Sequence, residues 1–399
     1  MDGCSATATS SWTKHGPSRN EDRAGPEAEA AVRVVGREDQ EAAGAARAEN
    51  QAPGRLPRGF FQVRDNSSCE EYMNKPGVPA PGFVRRIGEI VDHRRGVEFK
   101  DLTSRTLVNR LTGTAMPFGW TVNPYRGCEF GCRYCYARPT HEYLGHATPE
   151  EFEDRIYVKR SNPAQLIADL KRARDSGQEV AIGAATDPYQ PAEARFEITR
   201  SVLAAVARVP GLRIGITTKS AAIPRDVDVL REIAHTSDLQ INVSLISLDR
   251  DLLRIIEPRA PRPDLRLRAM QVLADAGVPT RLFVMPVLPL ITDGSESLRA
   301  LLVAARSAGA REAIWQPLFL RTPMTWEFFL RFVHEEFPWA IARYRELYPR
   351  PGSAPREYRE SLDWRVDELA RAAGFPARTR AERVKDEAPP RSRQLSLVW

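Results

Sequence analysis

The sequence predicts an α/β fold built on a parallel sheet, and two observations support that prediction. Short apolar runs rich in β-branched residues recur through the middle of the chain, each about as long as a buried strand. Amphipathic helical patterns separate these runs, and such an alternation predicts parallel strands joined by right-handed crossovers. An open doubly wound sheet and a barrel both satisfy this pattern, so the sequence pattern leaves both architectures open.

Six runs are predicted as strands, and each is apolar throughout, as in parallel strands that are covered on both faces. They span residues 119–125, 180–186, 213–219, 240–246, 280–288 and 312–320. The helices predicted between these strands carry apolar residues on one face. They span residues 163–175, 198–206, 227–234, 265–274 and 298–308. Two further amphipathic helices, 326–347 and 357–373, are expected to close the core.

Composition divides the chain into five segments. Residues 1–55 contain no Leu, Ile, Phe or Tyr, so we expect a disordered tail there. Residues 56–118 are predicted to wrap the core domain, which spans 119–322. A helical extension over 323–375 and a basic flexible tail over 376–399 complete the predicted organisation.

Overall composition limits the functional classes. The 399 residues are 42% hydrophobic and 28% charged, without an apolar run long enough to span a membrane. We expect no signal peptide, because the first residues lack an apolar core segment. The net charge of +6 is compatible with a nucleic-acid partner, and solvated arginine-rich faces explain it at least as well. With five cysteines, three of them clustered, the sequence predicts metal binding in a reducing cytoplasm rather than a disulfide framework.

The clustered cysteines are Cys128, Cys132 and Cys135, which follow the first predicted strand directly. Ligands of parallel sheets bind at the carboxyl ends of the strands, so this loop is the predicted site. A cubane iron–sulfur cluster takes one sulfur ligand per iron, so three cysteines leave one iron open for a substrate or cofactor. The alternative is a zinc site, for which His141 or His146 could supply the fourth ligand.

The pattern Cys-x3-Cys-x2-Cys, with Tyr134 before the last cysteine, resembles the radical S-adenosylmethionine (SAM) superfamily. Within it, three segments resemble the spore photoproduct lyase-like branch, also described as DNA repair photolyase-like. They are Asn-Pro-Tyr-Arg-Gly-Cys before the cluster, residues 183–193 (Gly-Ala-Ala-Thr-Asp-Pro-Tyr-Gln-Pro-Ala-Glu) and residues 217–220 (Thr-Thr-Lys-Ser). The likeness covers residues 119–320.

This resemblance implies a partial barrel of six strands and six helices, a [4Fe–4S] cluster and SAM. It implies that Cys128, Cys132 and Cys135 bind the cluster, and that SAM is cleaved to a 5′-deoxyadenosyl radical that abstracts hydrogen from a substrate. Further residues are implied to contact SAM, and they are Tyr134 beside the adenine, Thr186, Asp187, Lys219 beside the methionine carboxylate, and Ser244.

Each of the last four has a plainer explanation. Thr186 and Asp187 are also the residue types that cap turns. Lys219 could be a solvated loop lysine, and a buried Ser244 needs only a backbone carbonyl as its partner.

The sequence departs from the lyase at the position of its hydrogen-donating cysteine, where Ala184 or Ala185 stands. The resemblance therefore leaves the catalytic residues and the substrate open. Nucleic acid is the first candidate substrate, a peptide or small metabolite the second, and flavodoxin or ferredoxin the expected reductant. The alternative function is a non-enzymatic nucleic-acid-binding module stabilised by zinc or a cluster.

Overall fold

A computed structural model describes residues 87–94, 96–112 and 116–377 of the chain. The predicted tail over 1–55 lies outside the described residues, as does the tail over 376–399 apart from residues 376 and 377. The described part of the predicted extension over 56–118 forms three strands. The division of the chain into five segments stays a prediction.

The main sheet has seven strands in the order β11-β10-β9-β8-β7-β4-β3. Six of them pair in parallel and follow one another in chain order, while β3 pairs antiparallel with β4 at one edge. Their bounds are Val108–Arg110 (β3), Trp120–Val122 (β4), Val180–Ile182 (β7), Arg213–Thr218 (β8), Asp238–Ser244 (β9), Thr280–Val287 (β10) and Glu312–Pro317 (β11). The described strands β11 and β3 stand at opposite edges, so the sheet is an open, partial barrel, in agreement with the predicted fold.

A second sheet of four strands has the order β1-β2-β6-β5. Its strands are Ile87–Arg94 (β1), Val97–Thr103 (β2), Tyr125–Arg126 (β5) and Arg155–Arg160 (β6). The predicted strand over 119–125 is therefore divided between the two sheets. The break falls at Asn123 and Pro124, where proline has no N–H to continue the ladder of β4. A two-stranded sheet, Phe319–Leu320 (β12) with Gly352–Ser353 (β13), completes the strands of the described residues.

Helices connect the parallel strands and extend beyond them. They are Glu151–Asp154 (α1), Pro163–Asp175 (α2), Glu193–Phe196 (α3), Ile198–Ala207 (α4), Val227–Thr236 (α5), Arg250–Ile256 (α6), Pro263–Asp275 (α7), Ser295–Ser307 (α8), Pro323–Glu336 (α9), Ile341–Leu347 (α10) and Arg356–Ala372 (α11), with 3-10 helices at Arg138–Leu144 and Ile223–Asp226.

The helix predicted over 326–347 is two helices, α9 and α10. The segment between them contains Pro338, and the residue before a proline is disfavoured in the helical region. Phe337 accordingly leaves the helical conformation and ends α9. Farther along the chain, α11 packs against α8 and β11.

The two faces of the parallel sheet differ in what they expose. One face is apolar and fully buried beneath the helices, as Ile216, Val243 and Leu282 show. On the other, concave face the register aligns four polar residues across β8 to β11, and they are Thr217, Asn242, Arg281 and Glu312. Apart from the buried Asn242, these four residues are only half-buried. The prediction that both faces are covered therefore holds for the outer face alone.

Among the described residues, none of the helices combines the length and the apolar character needed to cross a bilayer.

Candidate active site

The loop that carries the clustered cysteines follows β4 and β5, at the carboxyl ends of the parallel strands. Cys132 is buried, Cys128 and Cys135 are half-buried, and all three thiols are free of disulfides. A turn closes between them, with the Cys135 N–H donating to the Cys132 carbonyl at 3.2 Å. The loop therefore holds three reduced sulfurs within one short segment, at the edge of the sheet where the sequence predicts the site.

Gly127 lets this loop leave β5 in close contact with its neighbours. Its φ of +82° lies in the left-handed region, and an added Cβ would come within 2.8 Å of the carbonyl oxygens of Phe152 and Arg155. Its own carbonyl accepts from Thr186 Oγ1 at 2.6 Å and from Gln190 Nε2 at 3.2 Å. These contacts fix the start of the cysteine loop against the loop that follows β7.

Arg138 holds the middle of the cysteine loop through hydrogen bonds from its buried guanidinium. Its side chain is fully buried, and its guanidinium donates to the Cys132 carbonyl at 3.0 Å, to Glu153 Oε2 at 2.7 Å and to the Pro149 carbonyl at 2.7 Å. The same group lies over the Phe328 ring, 4.4 Å from its centroid. A planar, permanently charged side chain with several donors is suited to hold three acceptors at once.

Tyr134 connects the loop to a buried ion pair. Its hydroxyl donates to Glu257 Oε1, and the second oxygen of Glu257 accepts from Arg266 at 2.5 Å. The Glu257 and Arg266 side chains are both fully buried. Arg266 also donates to the Ser244 carbonyl at 3.1 Å, at the end of β9. The chain of contacts thus links the cysteine loop to the carboxyl end of the sheet.

Lys219 follows β8 and faces the cysteine loop. Its Nζ lies 5.5 Å from the centroid of the Tyr134 ring. Burial works to lower the pKa of Lys219, but electrostatic interactions with Cys132, Glu257 and Asp187 outweigh it and raise that pKa. Asp187 positions the start of this segment, since its carboxylate accepts from the Lys219 N–H and from Thr218 Oγ1, each at 2.7 Å.

Burial also controls the thiols. It raises the pKa of Cys128 well above the usual value, with a further contribution from Asp187, and it raises the pKa of Cys132 to about 12. Both pKa values also respond to the neighbouring thiols, so the sulfurs lie within electrostatic reach of one another. Thiolates in this loop therefore require added positive charge, which bound iron provides.

The geometry separates the residues predicted to contact SAM into two groups. Lys219 and Tyr134 lie beside the cysteine loop. Thr186 and Asp187 use their oxygens on Gly127, on the Tyr189 N–H (2.9 Å), and on the β8 end described above. These contacts match the alternative that both residues shape a turn, and SAM contact by Thr186, Asp187 or Ser244 stays a prediction.

The histidines considered as zinc ligands point elsewhere. His146 engages Glu151 at 2.9 Å and Tyr157 at 2.6 Å, one with each ring nitrogen, while His141 uses Nε2 on the Arg155 carbonyl at 2.8 Å. In the described part of the chain, no three His, Cys, Asp or Glu side chains converge as ligands of a single ion. A cubane binds each cysteine through a different iron, so its thiolates need not converge in that way.

Sequence reasoning missed three residues that build the site, and they are Arg138, Glu257 and Arg266. Each is charged, and charged residues are seldom fully buried, so the sequence pattern offered no reason to place them inside. Their spacing to the cysteines gives no direct signal either, because Glu257 reaches Tyr134, and Arg266 reaches Glu257, only through the folding of α6 and α7.

Comparison with known proteins agrees with this geometry. The family model described as the radical SAM superfamily matches residues 122–302, which begin with the last residue of β4 and end within α8. The chain belongs to the radical SAM superfamily. An uncharacterised protein of Mycobacterium tuberculosis is 36% identical over 295 residues, which cover 74% of this chain and 86% of the relative.

Solved structures of spore photoproduct lyase share the fold. A point mutant of that enzyme superposes with a TM-score of 0.54 at 13% identity, covering 75% of this chain and 87% of the other. A second mutant, solved with bound SAM and a dinucleoside spore photoproduct, gives a TM-score of 0.50 at 14% identity, covering 72% and 85%. At such low identity the likeness shows the fold alone.

Membership in the superfamily confirms several expectations from the sequence. The protein is a radical SAM enzyme, which corrects the alternative of a non-enzymatic binding module. The cofactors of the family are a [4Fe–4S] cluster and SAM, as the resemblance to this family implied.

Proposed function

We propose that Cys128, Cys132 and Cys135 bind three irons of a [4Fe–4S] cluster, and that the fourth iron is left open for SAM. The observation that supports this most strongly is the site itself, three free thiols in one anchored loop at the carboxyl ends of the parallel strands. With the cluster bound, SAM would supply a 5′-deoxyadenosyl radical that takes a hydrogen atom from the substrate.

The surrounding residues have distinct proposed tasks. Lys219 pairs with the methionine carboxylate of SAM, because a cation at the end of β8 beside the cysteine loop is well placed to attract an anion. Asp187 holds the backbone of Lys219 and so orients that cation. The Tyr134 hydroxyl is already hydrogen-bonded to Glu257, so the backbone of Tyr134 is the part proposed to contact the adenine of SAM.

The concave face of the sheet is the proposed substrate surface. The buried Asn242 donates to Thr217 at 3.2 Å, and its Oδ1 has no hydrogen-bond partner among the described residues. A buried acceptor without a donor costs stability, on the order of 1–3 kcal/mol, and such a group is explained when a bound molecule supplies the donor. Asn242 also lies on the same face as Lys219, which supports the proposal that this face meets the substrate beside the cofactor.

Nucleic acid is the proposed substrate class, on two grounds. The chain is basic overall, and the spore photoproduct lyase that shares its fold was solved with a dinucleoside lesion. Repair by that enzyme's own route is not proposed, because Ala184 and Ala185 carry no thiol to return hydrogen. The enzyme is proposed to work in the cytoplasm, with flavodoxin or ferredoxin as its reductant.

Anaerobic reconstitution with iron and sulfide tests the cluster. The protein should become brown, and with dithionite and SAM it should release 5′-deoxyadenosine. Cys132→Ala should abolish that release, whereas Cys69→Ala removes a thiol outside the loop and should leave it unchanged. Undiminished release from Cys132→Ala, or a colourless protein that holds one zinc, would refute the proposal.

Substrate class is tested separately, by binding of DNA and RNA oligonucleotides at rising salt. Affinity that falls steeply with salt supports a nucleic-acid substrate. The absence of binding at low salt would exclude nucleic acid as the substrate, and a peptide or small metabolite would then be the remaining candidate.

A further inference from the structure

The buried ion pair between Glu257 and Arg266 has one fixed orientation relative to the cysteine loop, and this orientation suggests an electrostatic role. Glu257 lies between Arg266 and Tyr134, so the carboxylate faces the cysteine loop and the guanidinium lies behind it. Tyr134 stands between Cys132 and Cys135 in the sequence. The negative end of the pair is therefore the end that contacts the cysteine loop.

Backbone contacts agree with this orientation. The Arg133 N–H, directly after Cys132, donates to the Ile256 carbonyl at 3.0 Å, and the Arg259 N–H donates to the Phe130 carbonyl at 3.3 Å. Glu257 thus lies between two residues whose backbones are bonded to the cysteine loop on either side of Cys132. Neither charge of the ion pair is screened by water, since both side chains are fully buried.

We propose that Glu257, fixed by Arg266 and Tyr134, lowers the reduction potential of the cluster by holding a negative charge beside Cys132. Reduction adds one electron to the cluster, and a fixed anion nearby disfavours that added charge, whereas a cation favours it. Lys219 carries the opposite charge and raises the reduction potential, so the potential of the cluster depends on both residues. This inference rests on the proposed cluster site.

Two partners hold this buried charge in place. A buried carboxylate is costly unless it is paired and hydrogen-bonded. Arg266 supplies the pairing and also bonds the Ser244 carbonyl, while Tyr134 supplies a hydrogen bond from the cysteine loop itself. Glu257 consequently keeps one position relative to Cys132.

The test is a redox titration of the reconstituted protein followed by electron paramagnetic resonance, with dithionite as reductant and without SAM. Glu257→Gln keeps the shape and removes the charge, so the midpoint potential should rise. Lys219→Gln should lower it. Glu232→Gln removes the same charge from an exposed position in the second half of α5, away from the carboxyl ends of the strands, and should leave the potential unchanged.

Because Glu257→Gln leaves Arg266 buried without its partner, the double variant Glu257→Gln/Arg266→Gln is measured beside it. The potential should rise in the double variant too, since the carboxylate contacts the cysteine loop and the guanidinium lies behind it. A potential equal to that of the wild type in a loaded Glu257→Gln protein would overturn the inference. Failure of both variants to take up iron would also overturn it, and would assign Glu257 to holding the loop. Failure of the wild-type protein to form a cluster would instead refute the proposed function.

Discussion

Gly131 lies within the cysteine loop and meets two constraints at once. Its φ is +66°, which residues other than glycine rarely adopt, and an added Cβ would lie 2.7 Å from Glu153 Oε2. That oxygen accepts from Arg138, which in turn holds the Cys132 carbonyl. Space at Gly131 is therefore connected to the position of a proposed cluster ligand through two contacts.

Substitution of this glycine should distinguish the effect of backbone strain from the effect of steric crowding by the new side chain. Gly131→Ala should lower both the free energy of unfolding and the iron bound after reconstitution, because the new methyl displaces Glu153 from Arg138. Gly145→Ala is the matched control, since Gly145 has a φ of +80° with open space around it. It should cost about 1 kcal/mol from backbone strain and leave iron binding intact. Equal iron content in the two variants would contradict this account.

At the scale of single elements, the 3-10 helix over Arg138–Leu144 acts as the support of the cysteine loop. Its first residue is the buried Arg138, and α9 supplies the Phe328 ring beneath the guanidinium. The loop is therefore held from the side of the C-terminal helices as well as from the sheet.

Arg138→Met should destabilise the protein by about 3–5 kcal/mol, because it leaves Glu153 as a buried charge without its closest partner. Arg331→Met is the control. Arg331 also lies over the Phe328 ring, at 5.6 Å, but it is 57% exposed and pairs with Glu150 at the surface. Its loss should change stability by no more than about 0.5 kcal/mol. Urea unfolding of both variants measures the difference, and similar losses would show that the ring contact rather than the ion pair matters.

The sequence predicted the elements whose apolar residues are continuous, such as β8 and β10. It did not predict β6, because Arg155–Arg160 begins and ends with arginine and its partner β2 precedes the cysteine loop. The site shows the same division. The cysteine spacing and Lys219 at a strand end are visible in the sequence, whereas Glu257 meets Tyr134 and Arg266 only in the folded chain.

At the scale of the whole molecule, His141 couples stability to pH. Burial lowers its pKa to about 4, from an ordinary value near 6.5, because the charged ring is disfavoured where it packs against Phe152 and Tyr157 away from water. Between these two values the unfolded chain binds the proton and the folded chain does not. The contribution of His141 to stability is therefore greatest above pH 6.5 and falls as the pH drops toward 4.

We expect the free energy of unfolding to decrease by on the order of 3 kcal/mol over this range on account of His141. His141→Gln keeps a donor for the Arg155 carbonyl and cannot take up a proton, so the decrease should be smaller in that variant by a similar amount. Urea titrations at several pH values test this. Parallel curves for the variant and the wild type would show that His141 does not titrate in this range.

The order of strands in the main sheet has a consequence for biosynthesis. Because β4, β7, β8, β9, β10 and β11 occupy the sheet in chain order, each new strand can join its predecessor as it leaves the ribosome. The cysteine loop is made early, before the residues that clamp Tyr134 have been translated. The proposed cluster site therefore lacks its buried ion pair until α7 has been translated, and we expect cluster insertion to follow that point.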